Sequence, residues 1–155
     1  MAVGTWKIYA KAKKHIGAGQ LTLGGGVFKM SLHRTSASAN INVLSTRDKF
    51  TSIGSEISAR GGYAAGGRNL VPAAGYWTTG ASAKQIKFSY TTAGLVFTAS
   101  GSALNNIRYA LIRNSIAGGS GFVLCYASLS SAQFTITSPN TLTILPAAAG
   151  VFTLT

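Results

Sequence analysis

A succession of short segments in which apolar and polar residues alternate is the feature that most constrains the fold. From residue 84 onward these segments follow closely on one another: "KQIKFSY", "LVFTA", "NIRYALIRN", "QFTITS", "NTLTILP" and "GVFTLT". A period of two is typical of β-strands that bury one face, and glycine-containing stretches between them supply the turns. No strand–helix–strand rhythm interrupts the series. The pattern therefore predicts a mainly β, antiparallel fold.

The same alternation identifies the side chains that should form the core. Residues 27–35, "VFKMSLHRT", are expected to form a half-buried strand that directs its apolar residues inward and Lys29, Ser31 and His33 outward. Residues 121–129, "GFVLCYASL", are apolar on both faces, so we expect them inside a sheet, paired as a hairpin with residues 106–114. The core residues predicted for these and the remaining strands are Phe28, Met30, Leu32, Ile86, Phe88, Tyr90, Ile107, Tyr109, Leu111, Phe134, Ile136, Leu142, Ile144, Phe152 and Leu154.

One exception to the β pattern comes first in the chain. In residues 5–17, "TWKIYAKAKKHIG", apolar residues recur at helical spacing with lysines opposite them, and Gly17 or Gly19 can end such a helix. A single helical turn is also expected within residues 42–53, and 155 residues fit one domain. We therefore predict a single domain over residues 1–155, an antiparallel β-sandwich or jelly-roll-like barrel with a basic helical arm at about 5–17.

The charge balance is strongly one-sided. Fourteen Lys and Arg residues stand against two acidic residues, Asp48 and Glu56, which gives a net charge of +12. A basic balance of this size predicts an anionic partner, which can be nucleic acid, acidic lipid or an acidic protein surface. Most of the basic residues are dispersed along the chain, and only Lys11, Lys13 and Lys14 cluster.

The residues that carry most enzyme chemistry are too few and too scattered for a recognisable catalytic site. Two carboxylates are the minimum for a glycosidase, and nothing in the sequence brings Asp48 and Glu56 together. Glu56 is better interpreted as the counter-ion of a neighbouring arginine. His15 lies among lysines, His33 lies on the outward face of a strand, and there is no G-x-S-x-G motif. We therefore expect no enzymatic activity.

The glycine-rich residues 62–69, "GYAAGGRN", nearly match the sequence pattern of a phosphate-binding loop. Arg68 stands where Lys belongs, and Pro72 argues against the helix that such a loop must open. The glycines are better interpreted as a turn between strands. Cys125 lies in an apolar run and is expected to be a buried thiol, and no spacing of His, Cys and acidic residues fits a metal. We expect no metal and no cofactor.

Membrane insertion is not predicted. No apolar run reaches the ~18 residues of a spanning helix, and the first residues lack the apolar stretch of a signal peptide. We therefore expect a soluble protein made in a cytoplasm and without a membrane partner.

Residues 56–70, "EISARGGYAAGGRNL", carry a pattern G-Y-x-x-G-G-x-x-L that resembles a group of small virion structural proteins of tailed bacteriophages. The opening at 6–37, "WKIYAKAKKHIGAGQLTLGGGVFKMSLHRTSA", is similar to the start of that group. Three later segments, "NNIRYALIRNS", "LCYASLSSAQFTIT" and "NTLTILPAAAGVFTLT", resemble its last hairpin and its ending. The resemblance spans nearly the whole chain and supplies no catalytic residue.

The resemblance implies a β-sandwich component of a phage particle, most directly a capsid decoration or cement protein. Tail, head-fibre and head–tail junction positions are the alternatives, and a basic nucleic-acid-binding module is a more distant one. The expected partners are the major capsid protein, other copies of the chain and, through the basic charge, packaged DNA. The residues expected to contact a partner are Lys7, Lys11, Lys13, Lys14, Tyr63, Arg68, Tyr76 and Trp77. The aromatic residues in this set would otherwise fill gaps between loops and core.

Overall fold

The computed structural model describes residues 5–71, 76–79, 85–115 and 121–154. Within them the chain is mainly β, every described strand pairing is antiparallel, and two short helices are present. The helices are α1 (Ala10–Gly17) and α2 (Ser38–Ile41), and single 3₁₀ turns cover Thr35–Ala37 and Phe50–Ser52. The strands are β1 (Lys7–Ile8), β2 (Phe28–His33), β3 (Arg68–Asn69), β4 (Trp77–Thr79), β5 (Ile86–Phe88), β6 (Leu95–Thr98), β7 (Leu104–Ile107), β8 (Tyr109–Asn114), β9 (Val123–Ser128), β10 (Phe134–Ile136), β11 (Thr141–Ile144) and β12 (Phe152–Leu154).

A five-stranded sheet organises the fold, with the strand order β1-β9-β8-β2-β3. Its middle is the antiparallel pair β8–β9, in which Tyr109 lies opposite Ser128 and Ile112 lies opposite Cys125. The hairpin predicted between 106–114 and 121–129 is therefore confirmed, and so is the inner position of β9. The described strands form no closed barrel, so the mainly β, antiparallel prediction is confirmed without its barrel alternative.

One face of the five-stranded sheet packs against a second layer. The Phe28 ring on β2 lies 5.1 Å from the rings of Tyr76 and Phe88, in edge contacts. Phe88 belongs to a three-stranded sheet of order β12-β5-β4, and the pairs β7–β10 and β6–β11 complete the described strand pairings. Because two layers of strands enclose these aromatic rings, the arrangement is consistent with a sandwich.

The opposite face of the sheet is covered by α1 and by residues 35–57. The Tyr9 hydroxyl donates to the Ile41 carbonyl at 2.8 Å, and the Phe50 ring lies 5.9 Å from that of His33. Ser31 and His33 are consequently fully buried. The prediction of a half-buried β2 with its polar residues in solvent is therefore wrong, because a segment distant in sequence covers that face.

The N-terminal helix is shorter than the predicted arm at 5–17. Lys7 and Ile8 form β1, which pairs with Tyr126 and Cys125 of β9. The chain is still extended at Tyr9, with φ −70° and ψ 139°, so α1 begins at Ala10. The backbone hydrogen bonds offered by β9 replace the first helical turn. The helix ends at Gly17, as predicted.

The predicted core is buried, with two exceptions among the described side chains. Ile86 is 42% exposed, whereas Phe88 and Tyr90 on the same face are buried. Phe88 contacts Phe28, whereas Ile86 lies two residues before Phe88, at the start of β5. Phe134 is half-buried, and the side chain of Leu154 lies outside what the structure describes. Among the described residues, no helix has the length and apolar character needed to cross a bilayer.

Candidate functional site

The stretch at 55–68 is built around Glu56. Glu56 Oε1 accepts a hydrogen bond from the Tyr63 hydroxyl at 2.5 Å and another from the Gly66 N–H at 2.7 Å. The Tyr63 hydroxyl in turn accepts from the Leu32 N–H of β2 at 3.0 Å. Since charge-assisted hydrogen bonds of this kind are strong, Glu56 fixes the glycine-rich loop to the five-stranded sheet.

The predicted ion pair between Glu56 and a neighbouring arginine is wrong. Among the described residues, no Lys or Arg lies within 4.0 Å of a carboxylate, and the Glu56 oxygen is occupied by Tyr63 and Gly66. Arg113, only 4% exposed, instead donates to the Gly66 carbonyl at 3.1 Å and covers the Phe50 ring at 4.2 Å. Burial lowers the pKa of Arg113, and the charge of Glu56 opposes that shift.

The glycines of this stretch meet a steric requirement. Gly67 has φ +81°, and a Cβ there would overlap the Met30 carbonyl of β2. A side chain at this position would therefore push the loop away from the sheet. The loop continues into the strand β3 (Arg68–Asn69), and residues 72–75, including Pro72, lie outside the described residues. This geometry agrees with the interpretation of the glycines as a turn.

His33 forms a second buried network beside Glu56. Its Nδ1 lies 2.9 Å from the Gly54 carbonyl and its Nε2 lies 2.9 Å from the Ser31 hydroxyl. A carbonyl can only accept, so Nδ1 carries the proton and Nε2 accepts from Ser31 in the neutral ring. Burial disfavours the charged ring and lowers the pKa of His33 to about 4. The hydrogen bond to the Gly54 carbonyl opposes this shift, and the positive charge of Arg113 adds to it.

The other acidic residue, Asp48, also makes a contact within the chain. Its carboxylate lies 2.6 Å from Nε2 of His15, whose ring stacks on Phe122 at 4.0 Å. The Asp48 carbonyl accepts from the Val123 N–H at 2.9 Å. Asp48 thus ties the end of α1 to β9. The sequence carries no local signal for this contact, because His15 and Asp48 are 33 positions apart.

The four lysines expected to contact a partner lie in β1 and α1. Lys7, Lys13 and Lys14 are exposed, and Lys11 is half-buried. The Lys7 Nζ lies 5.9 Å from the centre of the Tyr126 ring. All four remain available at the surface, so their role as contacts stays a prediction.

The other four predicted contacts are divided between surface and core. Arg68 is exposed and its guanidinium donates to the Val96 carbonyl. Tyr63 and Tyr76 are 5% and 7% exposed, and the Tyr76 hydroxyl donates to the Leu70 carbonyl at 2.8 Å. Trp77 is half-buried, 6.1 Å from Phe152. The two tyrosines fill the core in the way that the alternative interpretation expects, and little of either is open to a partner.

Two exposed valines lie beside the start of β2 and the end of β3, and the sequence reasoning did not pair them. Val27 is 52% exposed and Val71 is 57% exposed. The Leu70 N–H donates to the Phe28 carbonyl at 2.8 Å, which continues the pairing of β2 with β3 and places Val71 opposite Val27. Each valine flanks a strand with its side chain outside the core. Only the register of β2 and β3 brings the two together.

The rest of the described surface has few groups that could bind a metal ion or act in catalysis. Among the described residues, no three His, Cys, Asp or Glu side chains gather where they could hold a metal ion. Cys125 is buried as predicted, and burial raises the pKa of its thiol. A cavity of ≈ 180 Å³ opens beside the glycine-rich loop. It is lined by Gly62, Tyr63, Ala64, Gly67, Arg68 and Phe97.

Comparisons with known proteins found no matching family model, no similar curated protein and no similar solved structure. The Glu56 carboxylate fastens the glycine-rich loop to the sheet, and the Asp48 carboxylate holds His15 of α1. The described surface carries Lys and Arg side chains with no carboxylate within 4.0 Å, together with the apolar pair Val27–Val71. Such an arrangement is suited to binding another macromolecule.

Proposed function

We propose that the chain is a structural protein of a bacteriophage particle, most directly a capsid decoration or cement protein that binds the major capsid shell. The resemblance to small virion proteins, carried by residues 56–70 and by the opening and closing segments, supports this role. The observation that carries it is the fixing of 55–68 by Glu56, because the most distinctive motif of the resemblance is built as a rigid corner.

Rigidity is the property that a repeated contact needs. A loop that is already ordered before binding does not lose conformational entropy when it meets its partner. Glu56, Tyr63 and Arg113 hold the glycine-rich loop on β2 and β8 through hydrogen bonds of 2.5 to 3.1 Å. Each copy of the chain would therefore present the same surface at each equivalent site of a shell.

The apolar part of the shell contact is assigned to the exposed pair Val27–Val71. Exposed apolar side chains that lie opposite one another are suited to burial against a protein. A single contact of this size is weak, and copies that also touch their neighbours on the shell reach high occupancy through linked contacts. The net charge of +12 adds long-range attraction to an acidic shell.

Other positions in a particle would use the same fold, and copy number separates them. The test is to quantify the protein against the major shell subunit in purified particles of the phage that encodes it. Hundreds of copies per particle support the decoration role, whereas a dozen or fewer support a tail, head-fibre or head–tail junction. Complete absence from the particle would refute the proposal.

The contact surface is tested by occupancy of the shell with Val27→Thr and Val71→Thr together. Each change keeps the shape of the side chain and removes about 1 kcal/mol of apolar burial, about a fivefold weakening per valine. Ile86→Thr with Leu145→Thr is the matched control, since these residues are also exposed, by 42% and 39%. Reduced occupancy for the valine variant alone supports the assignment, and equal occupancy for both variants contradicts it.

A further inference from the structure

Two segments that are separate in sequence form one strongly basic surface. The Ala10 N–H at the start of α1 donates to the Leu44 carbonyl at 2.8 Å, and His15 near its end contacts Asp48 at 2.6 Å. These contacts hold residues 44–49 against α1 and bring their cations beside the lysines of the helix. We define the basic surface as Lys7, Lys11, Lys13, Lys14, Arg47 and Lys49.

The charge of the basic surface is not neutralised by the described part of the chain. It holds six of the fourteen Lys and Arg residues, and the one acidic residue within these segments, Asp48, is engaged by His15. Arg47 donates to two neutral groups, the Asn40 side-chain oxygen at 2.7 Å and the Ser52 carbonyl at 3.3 Å. Like charges on one surface repel one another, and a bound polyanion would neutralise them.

The surroundings of the cations favour phosphate over protein. Protein interfaces have an apolar or aromatic centre. The large apolar side chains that are exposed in the described residues, Val27, Val71, Ile86 and Leu145, all lie outside the two segments of the basic surface. A phosphate backbone, in contrast, needs only cations at its surface.

The same surroundings favour a duplex over a single strand. Single strands are bound by stacking their bases on exposed aromatic rings. None of the described rings next to the basic surface is exposed: those of Trp6, Tyr9 and Tyr126 are 8%, 0% and 3% exposed. The rings of Phe50, next to Lys49, and Phe122, which stacks on His15, are half-buried. Four of the six cations are lysines with exposed side chains, namely Lys7, Lys13, Lys14 and Lys49. These groups can reach the phosphates of a duplex that keeps its bases stacked inside.

We propose that the basic surface binds the phosphate backbone of a nucleic-acid duplex without reading its sequence. The inference is independent of the particle role and moves the four N-terminal lysines from shell contact to nucleic-acid contact. β1 and β3 lie at opposite edges of the five-stranded sheet, so Lys7 and Val71 are four strand spacings apart, roughly 19 Å. A duplex at the basic surface and a protein at the apolar pair could thus be bound together.

The experiment measures binding of the purified chain to a fluorescent 20-base-pair DNA duplex by anisotropy, at salt concentrations from about 50 to 200 mM. Four to six phosphate contacts would weaken the affinity roughly 10²-fold to 10³-fold across that range. The test variant is Lys13→Gln, Lys14→Gln and Lys49→Gln. The control variant, Lys29→Gln, Arg60→Gln and Lys87→Gln, removes the same charge elsewhere. Thermal unfolding of both variants checks that the fold is retained.

The comparison of the two variants decides the proposal, because any chain of this charge binds DNA weakly at low salt. We expect the slope of log affinity against log salt to fall by up to about 2.7 in the test variant and to change little in the control. Equal losses in the two variants, or no binding by the unchanged chain at 50 mM salt, would overturn it. Tighter binding of an acidic polypeptide than of the duplex would overturn it in favour of a protein partner. None of these results bears on copy number in the particle.

Discussion

Acid should destabilise this chain mainly through His33. In the native structure the ring is neutral and fully buried, and burial lowers its pKa from 6.5 to about 4. Between pH 6.5 and pH 4 the unfolded chain binds a proton at His33 that the folded chain does not bind. The free energy of unfolding therefore rises with pH in this window and falls on acidification, by about 1.4 kcal/mol per pH unit at most.

The size of the effect follows from the two pKa values. A shift of about 2.5 units corresponds to about 3 kcal/mol of stability lost between pH 7 and pH 4. The background is unusually simple, since the whole sequence has two acidic residues and two histidines. The assay is urea unfolding at half-unit pH steps from 7 to 4 for the unchanged chain and for His33→Gln.

We expect the pH dependence of the unfolding free energy to be steeper in the unchanged chain than in His33→Gln, with a difference approaching 3 kcal/mol at pH 4. His15 and the acidic residues are common to both proteins and cancel in the comparison. An NMR titration of the His33 ring gives the pKa directly, whether or not the variant folds. Parallel pH profiles, or titration of His33 near 6.5, would refute the reasoning.

Two further predictions concern the glycine-rich corner. Gly67→Ala should destabilise the fold by about 2 kcal/mol or more, because φ is +81° and the added Cβ meets the Met30 carbonyl; Gly24→Ala, where nothing lies within 4 Å, is the control, and equal unfolding midpoints would contradict the steric explanation. Tyr63→Phe should cost about 1 to 3 kcal/mol in urea unfolding, because it leaves the Leu32 N–H without its acceptor and removes one of the two donors to Glu56 Oε1. A cost below about 0.5 kcal/mol for Tyr63→Phe would show that these hydrogen bonds do not hold the corner.

The parts of the fold that sequence could predict are those set by local patterns. The β8–β9 hairpin follows from alternation on one strand and an apolar run on the next. The end of α1 at Gly17 follows from Gly19, which adopts φ +69° and donates to the Ile16 carbonyl, as glycine does where helices end. The start of α1 could not be predicted in this way. Lys7 has a helical position in the pattern, and the hydrogen bonds that hold it in β1 come from Tyr126, far along the chain.

The burial of polar groups was harder to predict than the burial of apolar ones. His33 alternates with Leu32 as a solvent-facing residue would, and only the covering segment that carries Phe50 places it in the interior. The partners of Glu56 illustrate the same limit. The nearby arginines of the sequence suggested an ion pair, whereas the folded loop presents the Tyr63 hydroxyl and the Gly66 N–H to the carboxylate. The charge composition predicts that an acidic side chain has a partner, but it does not identify the group that donates to it.

The surface that carries the proposals was only partly visible in the sequence. The clustering of Lys11, Lys13 and Lys14 can be seen directly, but Arg47 and Lys49 join them only because Ala10 contacts Leu44. The apolar pair depends on the register between β2 and β3, which no local pattern sets. Contacts between distant segments thus decide which surface residues act together.

The internal use of both acidic side chains has a consequence for crowding. Asp48 contacts His15, and Glu56 contacts Tyr63 and Gly66, so both carboxylates already have partners within their own molecule. Two copies approaching one another therefore present mainly positive charge to positive charge, and electrostatic pairing contributes little to drawing them together. A dense array of such copies must be laid down on a template, held by apolar contact or threaded with counter-ions.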